Sequence, residues 1–487
     1  MTTGPGYQQQ YPPQWQQPWQ APPPPPPPPP KRRTGLWVTL GVVSLVLVVA
    51  VGAGVGLVIR SQRAGQQQAA GATPSGEPGT VVVTDQEIAQ LVAGHSKALA
   101  SGDVKAFTSI FDQKNTALVR QQTRVFTNLR KVPLAEVSYK TLQREGRAED
   151  SFGRGVTFTQ DIAFVHKFAG IDLRPVSEWY RWTLRKASAN APLVVTKVGG
   201  APPPISDDEG SKTMYYPGPW DIWPDIAVVK AGASLVLARP QDAALARRIA
   251  PTVSRATGSA LGYWRTNGDS SAPVPSGFLV ALAAGKAQLG GLFRQSKATE
   301  EGVTIPMPTW GGAGDPVKVG GSRIVLDTRS PFFATQAGIL EVSTHEIAHA
   351  LVAGLDSADF SLFGKANWIV EGFAEYVANR GHPITSNLRY QGGRAYLAGQ
   401  LAVPFRGELP SNALWDFKGM VSINYLMGHL AMRYIAQEYG DEKLAAGVLA
   451  AYSAPGDSSE AALFKTLGTT KAAFERQWAS YVREQLG

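Results

Sequence analysis

The chain has 487 residues, of which 44% are hydrophobic, and it contains no cysteine. This length and composition allow two or three domains with cores of their own, and the missing thiols exclude disulfides, Cys-type zinc sites and thiolate nucleophiles. The net charge is +9, but five basic residues flank one apolar segment, and the rest of the chain carries 42 basic and 38 acidic residues. A surplus this small over so long a chain excludes a phosphate-binding surface, so we expect no nucleic-acid partner.

Residues 1–33 are predicted to form a disordered cytoplasmic tail, because they are rich in Gln and Pro and cannot build a core. The nine consecutive prolines Pro22–Pro30 predict an extended left-handed helix that is about 28 Å long. Two interpretations stay open for this run. It is either a stiff spacer or a docking site for a cytoplasmic proline-recognising partner.

Residues 34–60 are predicted to form a single transmembrane helix. Gly35–Ile59 contains 25 residues without a charge, which is enough to cross a hydrocarbon core of about 30 Å. This run is longer than the apolar region of a secretory signal, which has about 7–15 residues. Three basic residues precede the run and two follow it, so the N-terminus is expected in the cytoplasm and the later domains outside the cell membrane.

After a flexible linker at 61–80, residues 81–200 are predicted to form an α+β domain. Apolar spacing predicts helices first and period-two alternation predicts strands afterwards. The predicted helices are Asp85–Phe111, interrupted at 101–103, and Thr116–Leu129, and the predicted antiparallel strands are 135–142, 154–166, 177–186 and 192–198.

This layout, with the sequence ALASGDVKAFTSIFD after the opening helix, resembles the nuclear transport factor 2-like, or SnoaL-like, domains. The resemblance implies a cone-shaped domain in which helices pack on a curved antiparallel sheet. Members of that family range from enzymes to spacers, so the fold leaves the function open. His95 and His166 are predicted to be ordinary surface or core histidines.

Residues 201–218 are predicted to be a second linker and residues 219–487 a second domain. Strands are predicted at 233–238, 277–282 and 322–327, and a long helix at 241–265, with almost entirely helical sequence after residue 330. A small mixed sheet followed by a mainly helical subdomain is therefore expected, and the whole chain is predicted to be a multidomain α+β protein.

The segment EVSTHEIAHALVAG places His345 and His349 four residues apart in an apolar, helix-like run. Residues at this spacing lie on one face of a helix, so both imidazoles can bind one zinc ion. Glu346 lies next to this face and can take a proton from a zinc-held water. The alternative is a buried helix whose two histidines are satisfied by ordinary polar partners.

A second helix-like run, NWIVEGFAEYVANR, begins 18 residues after His349 and carries Glu371 and Glu375. A hydrolytic zinc site needs three protein ligands and one open position, and Glu371 can complete the set with the two histidines. Glu375 lies one turn further on, where it can accept a hydrogen bond from the far N–H of a ligating histidine.

The His345-Glu346-x-x-His349 motif and the Trp368-x-x-Glu371-Gly372-x-Ala374-Glu375 block resemble the gluzincins, the peptidase MA-like enzymes of the thermolysin and aminopeptidase-N type. By this resemblance His345, His349 and Glu371 bind Zn²⁺, Glu346 is the general base and Glu375 supports a ligand.

The same resemblance implies an oxyanion donor and a strand for the substrate. Tyr425, in the sequence Tyr-Leu-Met-Gly, matches the tyrosine that donates to the oxyanion, and His382 and His429 remain alternatives. The strand at 322–327 resembles the edge strand that binds an extended peptide.

The sequence thus predicts a membrane-anchored, extracytoplasmic zinc metallopeptidase whose partner is a peptide or protein substrate. The alternative hypothesis is a catalytically silent, zinc-stabilised binding or scaffold protein at the cell surface. Glu346 favours the enzyme, because a purely structural zinc site does not need a general base.

Overall fold

The computed structural model describes residues 80–143, 149–201, 213, 215–294, 297–309, 317–356 and 364–487. The predicted tail, the predicted membrane span and the linker before residue 80 lie outside these residues. Among the described residues, no helix is both long enough and apolar enough to span a membrane. The described chain is a mixed α+β structure with two main sheets.

In the first part of the described chain, helices precede strands as predicted. Its elements are β1 (Val81–Val82), α1 (Asp85–Ser101), α2 (Val104–Thr108), α3 (Thr116–Leu129), β2 (Leu134–Gln143), β3 (Glu149–Asp150), β4 (Val156–Phe168), β5 (Val176–Lys186) and β6 (Val194–Gly200). Helix α1 begins at a capping box, in which Thr84 and Glu87 each satisfy a backbone N–H of the first turn. It ends at Gly102, whose φ of 78° is the left-handed conformation that glycine adopts at low cost.

Strands β2, β4, β5 and β6 form an antiparallel sheet in the order β2-β4-β5-β6. The space between this sheet and the helices is filled by aromatic rings. His95 is 1% exposed and stacks on Phe107 with 3.9 Å between ring centroids, and its ring lies 5.4 Å from that of Trp182. His166 is also fully buried. Surface or core positions were predicted for His95 and His166, and both histidines lie in the core.

The second part of the described chain contains a sheet and then helices. Its elements are α4 (Pro219–Ile222), β7 (Ala227–Ala231), β8 (Ser234–Ala238), α5 (Ala243–Asn267), β9 (Leu279–Ala283), α6 (Lys286–Gly291), β10 (Gly302–Pro308), β11 (Val319–Asp327), α7 (Gln336–Ala353), α8 (Asn367–Asn379), α9 (Tyr390–Leu397), α10 (Val421–Tyr439), α11 (Asp441–Ser453), α12 (Ser459–Leu467) and α13 (Lys471–Leu486). The expected mixed sheet followed by helices is observed.

The five-stranded sheet has the order β10-β11-β9-β8-β7, and its edge is not the strand that we predicted. Strand β11 pairs with β10 on one side and with β9 on the other, and all of its residues are buried. The prediction that 322–327 is an edge strand is therefore wrong, and the edge strands of this sheet are β10 and β7. Sequence analysis missed β10 because Pro306 and Pro308 interrupt its apolar pattern, and proline is tolerated in a strand mainly at an edge.

The five-stranded sheet separates two hydrophobic cores. Along β8, β9 and β11, Val236, Val280 and Ile324 pack with α5, α7 and the later helices. Their neighbours Leu237, Leu279 and Val325 pack with the aromatic interior of the first sheet. Successive side chains of a strand point to opposite faces, so one sheet serves both cores.

A fully buried polar cluster joins the two sheets, and we call it the sealed cluster. Arg323 of β11 is 0% exposed and binds Asp172 through two nitrogens, at 2.6 and 3.0 Å. The same guanidinium donates to His166 Nε2 at 3.1 Å, and this atom lies 3.5 Å from Oε1 of Glu178. The carboxylate of Asp172 thus compensates a cation that is completely removed from water.

Candidate metal centre

Helix α7 directs the two histidine rings of the HExxH sequence to one point. Nε2 of His345 lies 3.1 Å from Nε2 of His349, and the two side chains are 12% and 15% exposed. Ile347, Ala348 and Leu351 on the remaining faces of the helix are fully buried. This packing fixes the orientation of the helix, so the position of the two rings follows from the four-residue spacing.

Helix α8 brings Glu371 to the same point. Its Oε2 lies 3.3 Å from Nε2 of His345 and 3.2 Å from Nε2 of His349. Ligand atoms about 2.0–2.2 Å from a tetrahedral ion are roughly 3.3–3.6 Å apart, so small outward shifts of the three ligand atoms would accommodate a zinc ion. Within the described residues, these three side chains are the group found to be capable of holding a metal. We refer to them as the His-His-Glu site.

The electrostatics of the His-His-Glu site also suit a cation. Burial alone would lower the pKa of His345, but hydrogen bonds to Glu371 and Glu375 outweigh it and raise the pKa to about 10. Burial alone would raise the pKa of Glu371, yet the field of His349 and hydrogen bonds to both rings lower it well below its ordinary value. The carboxylates therefore attract positive charge to this point, whether a proton or a metal ion.

Two glycines allow α8 and α10 to touch beside the site. A Cβ placed on Gly372 would lie 2.5 Å from the carbonyl oxygen of Gly428, and a Cβ on Gly428 would lie 3.0 Å from the carbonyl oxygen of Trp368. Both contacts are with backbone atoms, which cannot swing aside. The close helix crossing sets the distance between Glu371, which precedes Gly372, and Tyr425, which lies one turn before Gly428.

Glu375 lies one turn after Glu371 and contacts the opposite side of the His345 ring. Its Oε1 is 3.2 Å from Nδ1 of His345, and its Oε2 accepts a hydrogen bond of 3.0 Å from Arg389. An N–H on Nδ1 that donates to Glu375 leaves the lone pair of Nε2 free for a metal. The cation of Arg389 keeps Glu375 ionised, because its field helps to lower the pKa of Glu375 against the effect of burial.

Glu346 is 6% exposed, follows His345 on α7 and contacts β10 through Thr304. The hydroxyl of Thr304 is 2.8 Å from its Oε2 and 2.7 Å from its backbone oxygen. Burial raises the pKa of Glu346 above the ordinary value, and the two histidines and Thr304 act in the opposite direction. A carboxylate with a raised pKa is better suited to accept a proton near neutral pH.

Tyr425 lies close to His345, whereas the alternative oxyanion donors His429 and His382 have other surroundings. The Tyr425 ring lies 6.0 Å from the ring of His345 and 5.0 Å below the guanidinium of Arg389. His429 is 1% exposed, its Nδ1 lies 3.4 Å from Nδ2 of Asn387, and burial lowers its pKa to about 4. His382 is exposed in the turn that follows α8. Of the three, Tyr425 has the described contact with a predicted ligand.

Sequence analysis missed Arg389 and Thr304. Arg389 occurs in the polar stretch SNLRYQGGR and resembles a solvent-exposed arginine. Thr304 belongs to the missed strand β10. Neither has a fixed spacing from the HExxH sequence, so only the folded chain reveals their contacts with Glu375 and Glu346.

A scan against protein-family models and a search of curated proteins found no match to this chain.

Proposed function

We propose that the chain is a zinc metallopeptidase that hydrolyses peptide bonds, and that residues 219–487 adopt a gluzincin-like fold. The observation that carries this proposal is the convergence of His345, His349 and Glu371 with Glu346 beside them. Two imidazole nitrogens and one carboxylate oxygen are a donor set that zinc has in hydrolases. A structural zinc site would gain nothing from the adjacent glutamate.

Each residue has a separate role in the proposed reaction. His345, His349 and Glu371 would hold the ion, which when bound supplies a Lewis acid and acidifies water. Glu346 accepts the proton of the attacking water and passes it to the nitrogen of the departing amine. The hydroxyl of Tyr425 donates to the oxygen on which negative charge develops.

An extended substrate would lie along β10, an edge strand of the five-stranded sheet. Directly after this strand, Thr309 is bridged to Val176 of β5. The carbonyl of Glu301 accepts from the N–H of Asp327, so odd-numbered residues of this segment face β11. Thr304, which is half-buried, therefore directs its backbone N–H and C=O to the open side, while Pro306 has no N–H there. A peptide backbone can pair with Thr304 near Glu346.

We further propose that residues 34–60 anchor the enzyme in the cell membrane, with both folded parts outside the cytoplasm. The uncharged run and the excess of basic residues before it support this arrangement. Residues 81–200 would have a nuclear transport factor 2-like fold. Because rings fill the interior of that part, we infer that it supports the peptidase rather than binding a ligand inside.

Metal analysis and a peptide-library cleavage assay on the full-length chain test the proposed activity. Glu346→Gln should retain one zinc per chain and lose cleavage by about 100-fold or more. The matched control is Glu438→Gln, which removes an exposed carboxylate at the far end of α10 and should change neither quantity. Equal turnover in Glu346→Gln and the wild type would refute the mechanism.

One observation favours the second candidate, a zinc-stabilised scaffold. Glu346 is buried and bonded to Thr304, and a carboxylate held out of contact with substrate would leave the site silent. The same experiment separates the two functions. A scaffold would bind zinc with no hydrolysis of any library member, and zinc removal would lower its stability.

A further inference from the structure

Strand β10 contacts the proposed general base through two of its residues. The Thr304 hydroxyl lies 2.8 Å from Oε2 of Glu346. A Cβ on Gly302 would lie 2.8 Å from Cγ and 2.9 Å from Oε1 of the same glutamate. Gly302 therefore provides the space that the carboxylate occupies. The single O–H of Thr304 is shared between Oε2 of Glu346 and the backbone oxygen of Glu346, which lies 2.7 Å away.

The alternation of side chains along β10 explains why both residues contact Glu346. Gly302 and Thr304 are two positions apart in the strand, so their side-chain positions lie on the same face. That face is directed at α7, whereas Ile305 and Met307 on the other face belong to the core shared with the first sheet. The position of β10 is thus fixed from behind by apolar packing.

We propose that Thr304 and Gly302 form a seat that positions Glu346 for proton transfer. Thr304 holds one carboxylate oxygen, and Oε1 is left to accept the proton when an O–H bond of the attacking water breaks. This inference rests on the proposed role of Glu346 as general base. Thr304 is a positioning residue, because it acts through Glu346 and not on the substrate's reacting atoms.

Substitution of Thr304 tests the seat in the full-length protein. Thr304→Val keeps the shape of the side chain and removes the hydroxyl, so kcat should fall about 10-fold with KM and zinc content unchanged. Thr304→Ser restores a hydroxyl and should recover kcat to within about threefold of the wild type. Equal activity in Thr304→Val and the wild type would overturn the proposal, as would equal losses in both variants.

A second measurement needs no catalysis. In zinc-free protein, the loss of Tm caused by Thr304→Val should be smaller in a Glu346→Ala background than in the wild-type background. Thr328→Val is the matched control, because its hydroxyl bonds the carbonyl of Ala283 instead. Its Tm shift should be the same in both backgrounds.

These measurements separate the seat from the proposed function. If the wild type cleaves no peptide but the two Tm losses differ, the seat exists and the proposed activity fails. If the wild type cleaves peptides in a Glu346-dependent manner but the two Tm losses are equal, the activity stands and the seat is refuted.

Discussion

Two clusters of histidines and carboxylates lie in the described part of the chain, and they differ in what balances their charge. In the sealed cluster, Arg323 donates to Nε2 of His166 and is compensated by Asp172, and all three side chains are buried. In the His-His-Glu site, the two Nε2 atoms contact each other and Glu371, and the side chains remain 12–21% exposed. The cation of Arg323 lies at the centre of the sealed cluster, whereas two imidazole nitrogens and a carboxylate oxygen converge in the His-His-Glu site.

The two clusters also shift the pKa values of their histidines in opposite directions. Burial lowers the pKa of His166 well below its ordinary value, and Arg323 lowers it further. Hydrogen bonds to carboxylates instead raise the pKa of His345, to about 10, against the effect of burial. Burial and the neighbouring arginine thus disfavour a positive charge on His166, whereas the neighbouring carboxylates favour one on His345.

Removal of a proposed ligand should have the largest effect, a loss of zinc affinity. An unchanged zinc affinity would show that the two clusters do not differ in metal binding. His349→Ala removes one of three ligands, so zinc affinity should fall by more than about 100-fold, beyond the usual effect of a supporting residue. Metal analysis after dialysis measures this loss. His166→Asn is the control from the sealed cluster, and the folded protein should retain one zinc per chain.

Arg323→Met should have the next largest effect, on stability rather than on zinc. It leaves the buried carboxylate of Asp172 without its countercharge and with the backbone N–H of Phe168 as a remaining donor. The loss should be about 3–5 kcal/mol in the free energy of unfolding. Denaturant unfolding measures this loss. Adding Asp172→Asn should recover part of it, because the isolated charge is then removed. A loss below about 1 kcal/mol would show that the sealed cluster is not needed for stability.

Gly372→Ala tests the helix contact that places Glu371. The new Cβ would meet a backbone oxygen of α10, so we expect a loss of about 1–3 kcal/mol together with weaker zinc binding. Calorimetry and zinc titration measure the two effects. Gly381→Ala is not a suitable comparison because its φ is positive, whereas Gly258→Ala lies in a helix with open space around it and should be neutral or stabilising.

Arg389→Gln should have the smallest effect of the four. It removes the cation that holds Glu375, which in turn contacts His345, so zinc affinity should fall about 10-fold. Competition with a chelator of known affinity measures this change. Arg394→Gln, on the neighbouring helix α9, is the control and should leave zinc affinity unchanged. An equal effect of both substitutions would indicate a general loss of positive charge.

Local patterns in the sequence predicted much of the fold. The bounds of α3 match the predicted Thr116–Leu129, and the four predicted strands of the first sheet differ from the observed strands by one or two residues. Helix and strand periods are properties of neighbouring residues, so they can be recognised along the chain. Strand β10 could not be recognised, because its prolines are tolerated only through its edge position, which depends on the order of the sheet.

Local patterns in the sequence also predicted part of the candidate site. The four-residue spacing of His345 and His349 determines their common direction once a helix forms. The approach of Glu371 depends on the crossing of α8 over α7 and α10. The sequence indicated Glu371 only through the three ligands that a hydrolytic zinc site needs and through the family resemblance. Contacts of Arg389 and Thr304 come from separate segments, and no spacing rule connects those segments to the HExxH sequence.

Zinc-edge anomalous diffraction from crystals of the zinc-loaded protein tests the central claim most directly. We predict one anomalous peak, about 2.0–2.2 Å from Nε2 of His345, Nε2 of His349 and a carboxylate oxygen of Glu371. A crystal of the His349→Ala variant should lack that peak. Zinc bound away from these three atoms, or no zinc in a protein with an intact His-His-Glu site, would contradict the assignment.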